Sequence, residues 1–244
     1  MCTASWFREE GLFELFFNRD EQRSRPKALP PRVLELSGTR VLLPLDGRDH
    51  GTWIAANEHG LVLCLLNLYE AEYVPAEPRS RGLLVMELAH LRCAEEVVRD
   101  VGRTDLVALR PFTLVAFDQE GGTTSSRWDG RELAMRRGDG VEPPLVSSGF
   151  DLPRVADARR AAWRELVVAR GGPSAERLAA YHASRLPEPG ALAVSMARPD
   201  ACTVSHVHVR VTRDAVRMSY RDGAPADGGD AVELELPRAD AVRP

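Results

Sequence analysis

Cysteine is scarce, and its placement excludes more than its number does. The 244 residues hold four cysteines, Cys2, Cys64, Cys93 and Cys202, with no C-x-x-C pair among them. That pattern argues against a zinc ribbon and against a disulfide framework, and free thiols fit a reducing, cytoplasmic setting. Long apolar runs are missing as well. No stretch approaches the roughly 20 apolar residues of a helical membrane span. The N-terminus has no basic segment followed by an apolar one, so no signal peptide is expected. An excess of positive charge is also absent: the net charge is −4 and acids are interspersed with bases. That balance leaves no electrostatic footprint for nucleic acid or an anionic membrane. Gly121-Gly122 and Gly171-Gly172 lack the Lys-Ser/Thr of a phosphate loop, and Ser147-Ser148-Gly149 lacks the flanks of a nucleophile elbow. No cofactor and no metal is expected. His206 and His208 lie two apart on one strand, but no third ligand stands near them, so they read as cross-strand surface polar residues.

What is present suits one sizeable core. The chain is 44% hydrophobic, and sheet-rich folds of this length often remain a single domain, expected here over residues 1–244. Leu12 to Phe17 reads as a buried strand that stops at the polar run Asn18-Arg19-Asp20-Glu21. A proline-rich connection follows, Arg25-Pro26 to Pro30-Pro31, and then the run Val33 to Leu36. Two apolar runs, 52–56 and 61–66, flank Asn57-Glu58-His59-Gly60, which predicts a β-hairpin ending at Asn67. Apolar spacing predicts one helix from Ser80 to Arg99, a second from Arg154 to Val168 and a third from Ala175 to Ser184 capped by Ser174. Phe112 to Phe117 and Thr123 to Trp128 predict a second hairpin. Strands are expected at Leu192 to Met196, Thr203 to Val211 and Val216 to Tyr220, with an edge strand at Ala231 to Leu236. Hairpins, then helices, then hairpins point to antiparallel sheets with helices outside them.

Several local signals converge. Met1-Cys2-Thr3 opens the chain, Asn18-Arg19-Asp20-Glu21 closes the second strand, and Gly51-Thr52-Trp53-Ile54 precedes Asn57-Glu58-His59-Gly60 and Leu65-Leu66-Asn67. Together these resemble the NRDE family, named for its Asn-Arg-Asp-Glu tetrad, which includes the transport and Golgi organisation protein of eukaryotes. Residues 1 to about 70 carry the likeness. Arg198-Pro199-Asp200 before Thr203-Val204-Ser205, and Met218-Ser219-Tyr220, support it more loosely. The family in turn is similar to the choloylglycine hydrolase and penicillin acylase group of N-terminal-nucleophile hydrolases. The resemblance implies an α+β fold, a four-layer αββα sandwich of two mainly antiparallel sheets. It also marks Cys2, Arg19, Asp20 and Asn67 as catalytic candidates, and Asn18, Trp53, Ser147 and Arg198 as substrate-binding candidates.

The chemistry stands on physical grounds as well. With Met1 removed, residue 2 carries both a thiol and an α-amine, whose pKa of about 7.7–8.0 suits a general base. Arg19 favours the thiolate, Asp20 would orient the amine and Arg19, and the Asn67 amide would stabilise a tetrahedral oxyanion. Each residue also has a plainer reading: Cys2 as a small terminal residue, Arg19 and Asp20 as a structural pair, Asn67 as a turn, Trp53 as core. Departures from the acylases count too. Ser147 replaces a catalytic Asn, Arg198 matches a later Arg only approximately, and Arg19 and Asp20 are adjacent where the acylases separate them. Two functions therefore compete. One is a cysteine amidohydrolase or acyltransferase acting on a small acylated amine through a Cys2 thioester. The other is a non-catalytic carrier of haem or acyl-CoA-like amphipathic ligands. The expected partner is a small-molecule acyl compound or amphipathic ligand, and the oligomeric state stays open.

Overall fold

The computed structural model describes residues 1–239; residues 240–244 of the expected 1–244 domain lie outside it. The chain begins with β1 (Cys2–Glu9), β2 (Leu12–Gln22), β3 (Leu29–Leu36), β4 (Thr39–Leu45), β5 (Ile54–Asn57) and β6 (Val62–Asn67). Helices α1 (Arg81–Leu88) and α2 (Ala94–Val101) follow, then β7 (Phe112–Phe117), β8 (Thr123–Trp128), β9 (Leu133–Arg137) and β10 (Leu145–Ser147). Helices α3 (Leu152–Leu166) and α4 (Ala175–His182) precede β11 (Ala201–Val211), β12 (Ala215–Asp222) and β13 (Val232–Pro237). Six strands make one sheet in the order β10-β1-β2-β11-β12-β13, and seven make another in the order β3-β4-β5-β6-β7-β8-β9. The expected class, two mainly antiparallel sheets with helices, is what the chain adopts. No helix among the described residues is long and apolar enough to cross a membrane.

The contacts divide the chain into two compact units. The first comprises Met1–Arg25, Pro143–Arg210 and Ser219–Glu233; the second comprises Pro26–Glu142, Val211–Met218 and the stretch from Leu234. In the first, α3 and α4 bury Ala162, Trp163, Leu178 and Tyr181 with Phe7 and Phe16 of the sheet. Helix α3 starts where Asp151 accepts from Arg154 N, and α4 where Ser174 Oγ accepts from Arg177 N at 3.3 Å. Such caps satisfy N–H groups that have no partner within the helix. In the second unit, a core of Val41, Leu43, Leu63, Leu84, Leu88, Val97, Leu114 and Trp128 lies between the seven-stranded sheet and α1 and α2.

The hairpin β5–β6 forms at the predicted turn, where Gly60 takes φ +79, a left-handed conformation that suits glycine. Asn57, fully buried, accepts from His59 N and Leu61 N and donates to the carbonyls of Ala89 and Leu91 at 2.9 and 2.7 Å. Those carbonyls explain a correction. The segment expected as one helix from Ser80 to Arg99 is two, broken between Leu88 and Ala94. Asn57 takes two of the carbonyls at the break and Thr39 Oγ1 donates to a third, that of His90. Three further expectations change. Leu192 to Met196 is not a strand; its backbone makes scattered bonds, as in Ser195 N to Ser184 O and Met196 N to the Thr203 side chain of β11. The polar run 18–21 does not end the second strand but continues it, because β2 reaches Gln22. The Pro30-Pro31 connection belongs to β3, an edge strand whose register shifts between Leu29 and Arg32, and edges tolerate proline.

Candidate active site

Strand β1 lies between β10 and β2, and its first residue has a partner on each side. Cys2 pairs with Ser147 on β10 and with Arg19 on β2. Directly opposite residues of antiparallel strands project to the same face, so the thiol is flanked by a hydroxyl and a guanidinium. The α-ammonium of Met1 donates to Asp20 O at 2.9 Å, and Asp20 N donates to Met1 O at 2.9 Å. The sheet ladder therefore fixes the start of the chain. Burial pushes the Cys2 thiol above its ordinary value; the terminal ammonium and Arg19 pull it back, while Asp20 and Glu21 add to the rise. Arg19 itself is buried and meets Glu21 at 3.7 Å.

Asp20 follows Arg19, so its carboxylate faces the other side of the sheet, toward α3. There Arg159 Nη2 donates to Oδ2 at 2.9 Å and Thr203 Oγ1 donates to Oδ1 at 2.7 Å. Arg159 Nη1 also donates to Thr3 Oγ1. The side chains of Asp20 and Arg159 are both 0% exposed. A buried ion pair is not in itself a strong stabiliser, but loss of one partner leaves an uncompensated charge in the core. Arg159 is missing from the sequence-derived site, yet it carries a signal. The buried face of α3 is Val155, Ala156, Arg159, Ala162 and Trp163, which places a charge in the middle of an apolar helical stripe.

Asn18, expected to contact substrate, has its polar atoms engaged internally. Its Nδ2 donates to His182 O at 2.9 Å and Val194 O at 3.0 Å, and its Oδ1 lies 2.8 Å from His206 Nδ1. With Nδ2 donating, Oδ1 accepts, so His206 carries its proton on Nδ1. His206 and His208 are thus half-buried, with internal partners that the reading as surface residues did not give them. His208 Nε2 bonds Glu14 Oε2 at 2.8 Å and its ring stacks on Phe16 with centroids 4.1 Å apart. His182 Nε2 meets Ser5 Oγ at 2.8 Å. Burial pulls His182 well below its ordinary value, helped by His206, Arg159 and His208. It also takes His206 down to about 3, with His208 and Arg221 contributing.

The three other candidates have neighbours of their own. Arg198 bonds Asp200 through Nε at 3.0 Å and Nη2 at 2.8 Å, and its guanidinium lies 4.5 Å from the Phe150 ring centroid. Asn67 and Trp53 belong to the second unit. There the Asn67 amide donates to Tyr69 OH at 2.9 Å and Trp53 is buried. Within the first unit, Arg19 and Ser147 flank Cys2 on one face of the sheet, while the side chains of Asn18 and Asp20 are engaged on the other.

Known proteins bear on this arrangement. The sequence profile described as Transport and Golgi organisation 2 matches residues 1–135. No curated protein matches. Among solved structures, penicillin V acylase from Agrobacterium tumefaciens is similar at a TM-score of 0.56 and 15% identity, covering 97% of this chain and 86% of that one. The C2A mutant of conjugated bile acid hydrolase from Clostridium perfringens matches at 0.56 and 13%, covering 97% and 92%. The Caenorhabditis elegans ortholog of N-acylethanolamine-hydrolyzing acid amidase matches at 0.56 and 15%, covering 85% and 92%. At such identities the likeness establishes the fold, that of the N-terminal-nucleophile hydrolases, and does not fix the reaction.

Proposed function

The chain belongs to the transport and Golgi organisation 2 family, and on that footing we propose a cysteine N-terminal-nucleophile amidohydrolase or acyltransferase that acts on a small acylated amine. The observation that carries the reading is the pairing of Cys2 with Arg19 across β1 and β2. After Met1 is excised, the α-amine of Cys2 takes the thiol proton, and the sulfur attacks the acyl carbonyl carbon. The S–C bond forms and the C–N bond breaks. The amine leaves with the proton, and a thioester remains on Cys2. Water then attacks the thioester and releases a carboxylic acid, or a second nucleophile takes the acyl group. Arg19 favours the thiolate through its charge, and the clamp of Arg159 and Thr203 on Asp20 keeps the strand end in register.

A carrier function is the second reading, and one observation favours it. With Met1 in place, burial holds the thiol above its ordinary range, so an unprocessed Cys2 is protonated and poorly nucleophilic. The deciding measurement is the intact mass of the untagged protein before and after a limiting dose of a thiol electrophile. The enzyme reading expects a mass lacking Met1 and label concentrated on Cys2. Retained Met1, or label spread evenly over Cys2, Cys64, Cys93 and Cys202, would replace it with the carrier.

A further inference from the structure

Met1 is held at three points around the start of β1. The register that sets Cys2 opposite Arg19 and Ser147 brings Met1 opposite Asp20 and Ser148. Its ammonium donates to Asp20 O and its carbonyl accepts from Asp20 N, both at 2.9 Å. Its thioether sulfur lies 3.0 Å from Ser148 Oγ. That hydroxyl is fixed in turn, since it donates to Phe150 O at 2.5 Å and accepts from Phe150 N at 3.1 Å. Asp20 and Ser148 are only 1% and 2% exposed. Side chains alternate along a strand, so the Met1 chain and the Cys2 thiol project to opposite faces of the sheet.

Loss of Met1 takes these partners from the peptide N–H and C=O of Asp20, and buried peptide groups in folded proteins are paired. A molecule that replaces Met1 pairs both only by offering an acceptor and a donor at the same spacing. The reaction says what comes there. Once the thiol proton has passed to the Cys2 amine, that nitrogen gives it to the leaving amine as the C–N bond breaks. The transfer needs the two nitrogens within about 3 Å of each other, and Cys2 N is the atom to which Met1 was bonded. The leaving amine therefore enters the place of Met1, while the acyl carbon meets the sulfur on the other face. We propose that the place of Met1 is the leaving-group subsite, and that the leaving group is an α-amino acid with an unbranched apolar side chain. Its nitrogen faces Asp20 O, its carboxylate accepts from Asp20 N and lies by the Cys2 ammonium, and its side chain ends at Ser148. A simple alkylamine leaves Asp20 N unpaired, and a short side chain does not reach Ser148. The substrate is then an N-acylated amino acid of methionine shape. This deepens the nucleophile reading and rests on it for the role of Cys2.

Two measurements test the subsite separately from the thiol. The first is calorimetric binding of L-methionine, D-methionine and L-alanine to the Cys2→Ala protein, released from a cleavable fusion so that it begins at residue 2. L-Methionine is expected to bind about tenfold tighter or more than either of the others, since it alone meets all three points. The same protein with Met1 retained is expected to bind none of them, because its own residue fills the place. The second is the cleavage of N-acetyl-L-methionine and N-acetyl-L-alanine by the unsubstituted protein lacking Met1. There kcat/KM is expected to favour the methionine compound about tenfold or more. Equal affinities for the two enantiomers, no binding of L-methionine, or binding undiminished by Met1 overturns the subsite. A preference for L-methionine without cleavage of either compound keeps the subsite and removes the nucleophile. Cleavage of both compounds at equal rates, without that preference in binding, does the reverse.

Discussion

Acidification should destabilise the first unit through histidines that the fold holds neutral. Unfolded histidine titrates near 6.5, so at a pH of about 5 nearly every unfolded chain carries protons on these rings. In the folded protein, burial takes His206 down to about 3 and holds His182 well below its ordinary value. The positive groups around them, His208, Arg159 and Arg221, push the same way. The folded values are depressed, so the unfolded state binds more protons within this window and stability falls as pH falls. The loss starts near 6.5. At pH 5 the gap from the unfolded value is about 1.5 units, ~2 kcal/mol for each histidine and ~4 kcal/mol for the two. Working at about pH 5 stays above the window of Glu58, whose desolvation is outweighed by hydrogen bonds and charge from Arg40. The assay is urea unfolding at two pH values, about 7.5 and about 5, on the unsubstituted protein and on His206→Asn, His182→Gln and the double variant. Asparagine retains the donor to Asn18, and glutamine retains a polar partner for Ser5. The expected loss on acidification is ~4 kcal/mol in the parent, about half that in each single variant and little in the double. A parental loss below ~1 kcal/mol, or a double variant as pH-sensitive as the parent, would refute the reasoning.

Other perturbations follow from the same contacts. Arg159→Met should cost about 3–5 kcal/mol because it strands the Asp20 carboxylate, whereas the exposed neighbour Arg160→Met should change stability by less than ~0.5 kcal/mol. Similar midpoints in urea for the two variants would contradict the buried pair. Asn57→Ala removes the partners of two carbonyls and two amides and should cost about 3 kcal/mol or more. Amide hydrogen exchange at Leu61 should speed up with it, and an unchanged rate would show that the contact is idle. Arg19→Met removes a cation that lowers the Cys2 thiol, so the pH midpoint of Cys2 alkylation should move up. A midpoint that stays put or falls would separate Arg19 from the thiol.

Much of the fold was legible because its signals are local. Alternation from Thr203 to Val211, the turn at Asn57 to Gly60 and the Ser174 cap each contain their own cause within a few residues. The tetrad Asn18 to Glu21 lies on β2, which sets Arg19 opposite Cys2. What escaped depends on partners far along the chain. His206 and His208 alternate with valines as solvent-facing residues do, yet Asn18 and Glu14 give that face a polar interior. Arg159 interrupts the apolar stripe of α3, but its partner Asp20 lies 139 residues away and cannot be read locally. Asn18 reads as a ligand-binding amide, and only the carbonyls of His182 and Val194 show that its hydrogen bonds are filled from within. Leu192 to Met196 is apolar enough for a strand, but its contact with β11 is at its end, where Thr203 N donates to Met196 O.

The broken helix also separates what a segment prefers from what its surroundings impose. Residues 80–101 contain no proline, and their only glycine is Gly82. At the break Asn57, which lies 32 and 34 residues upstream, takes two carbonyls, Thr39 takes a third, and Arg92 N and Ala94 N donate to Glu96 and Asp118. A peptide of residues 80–101 freed from the rest of the chain should therefore form a single run of helix through Ala89 to Cys93 when a helix-promoting solvent is added. The same conversion should begin inside the protein once Asn57 is replaced. The segment holds a latent conformation, and contacts made far along the chain help keep it from being expressed.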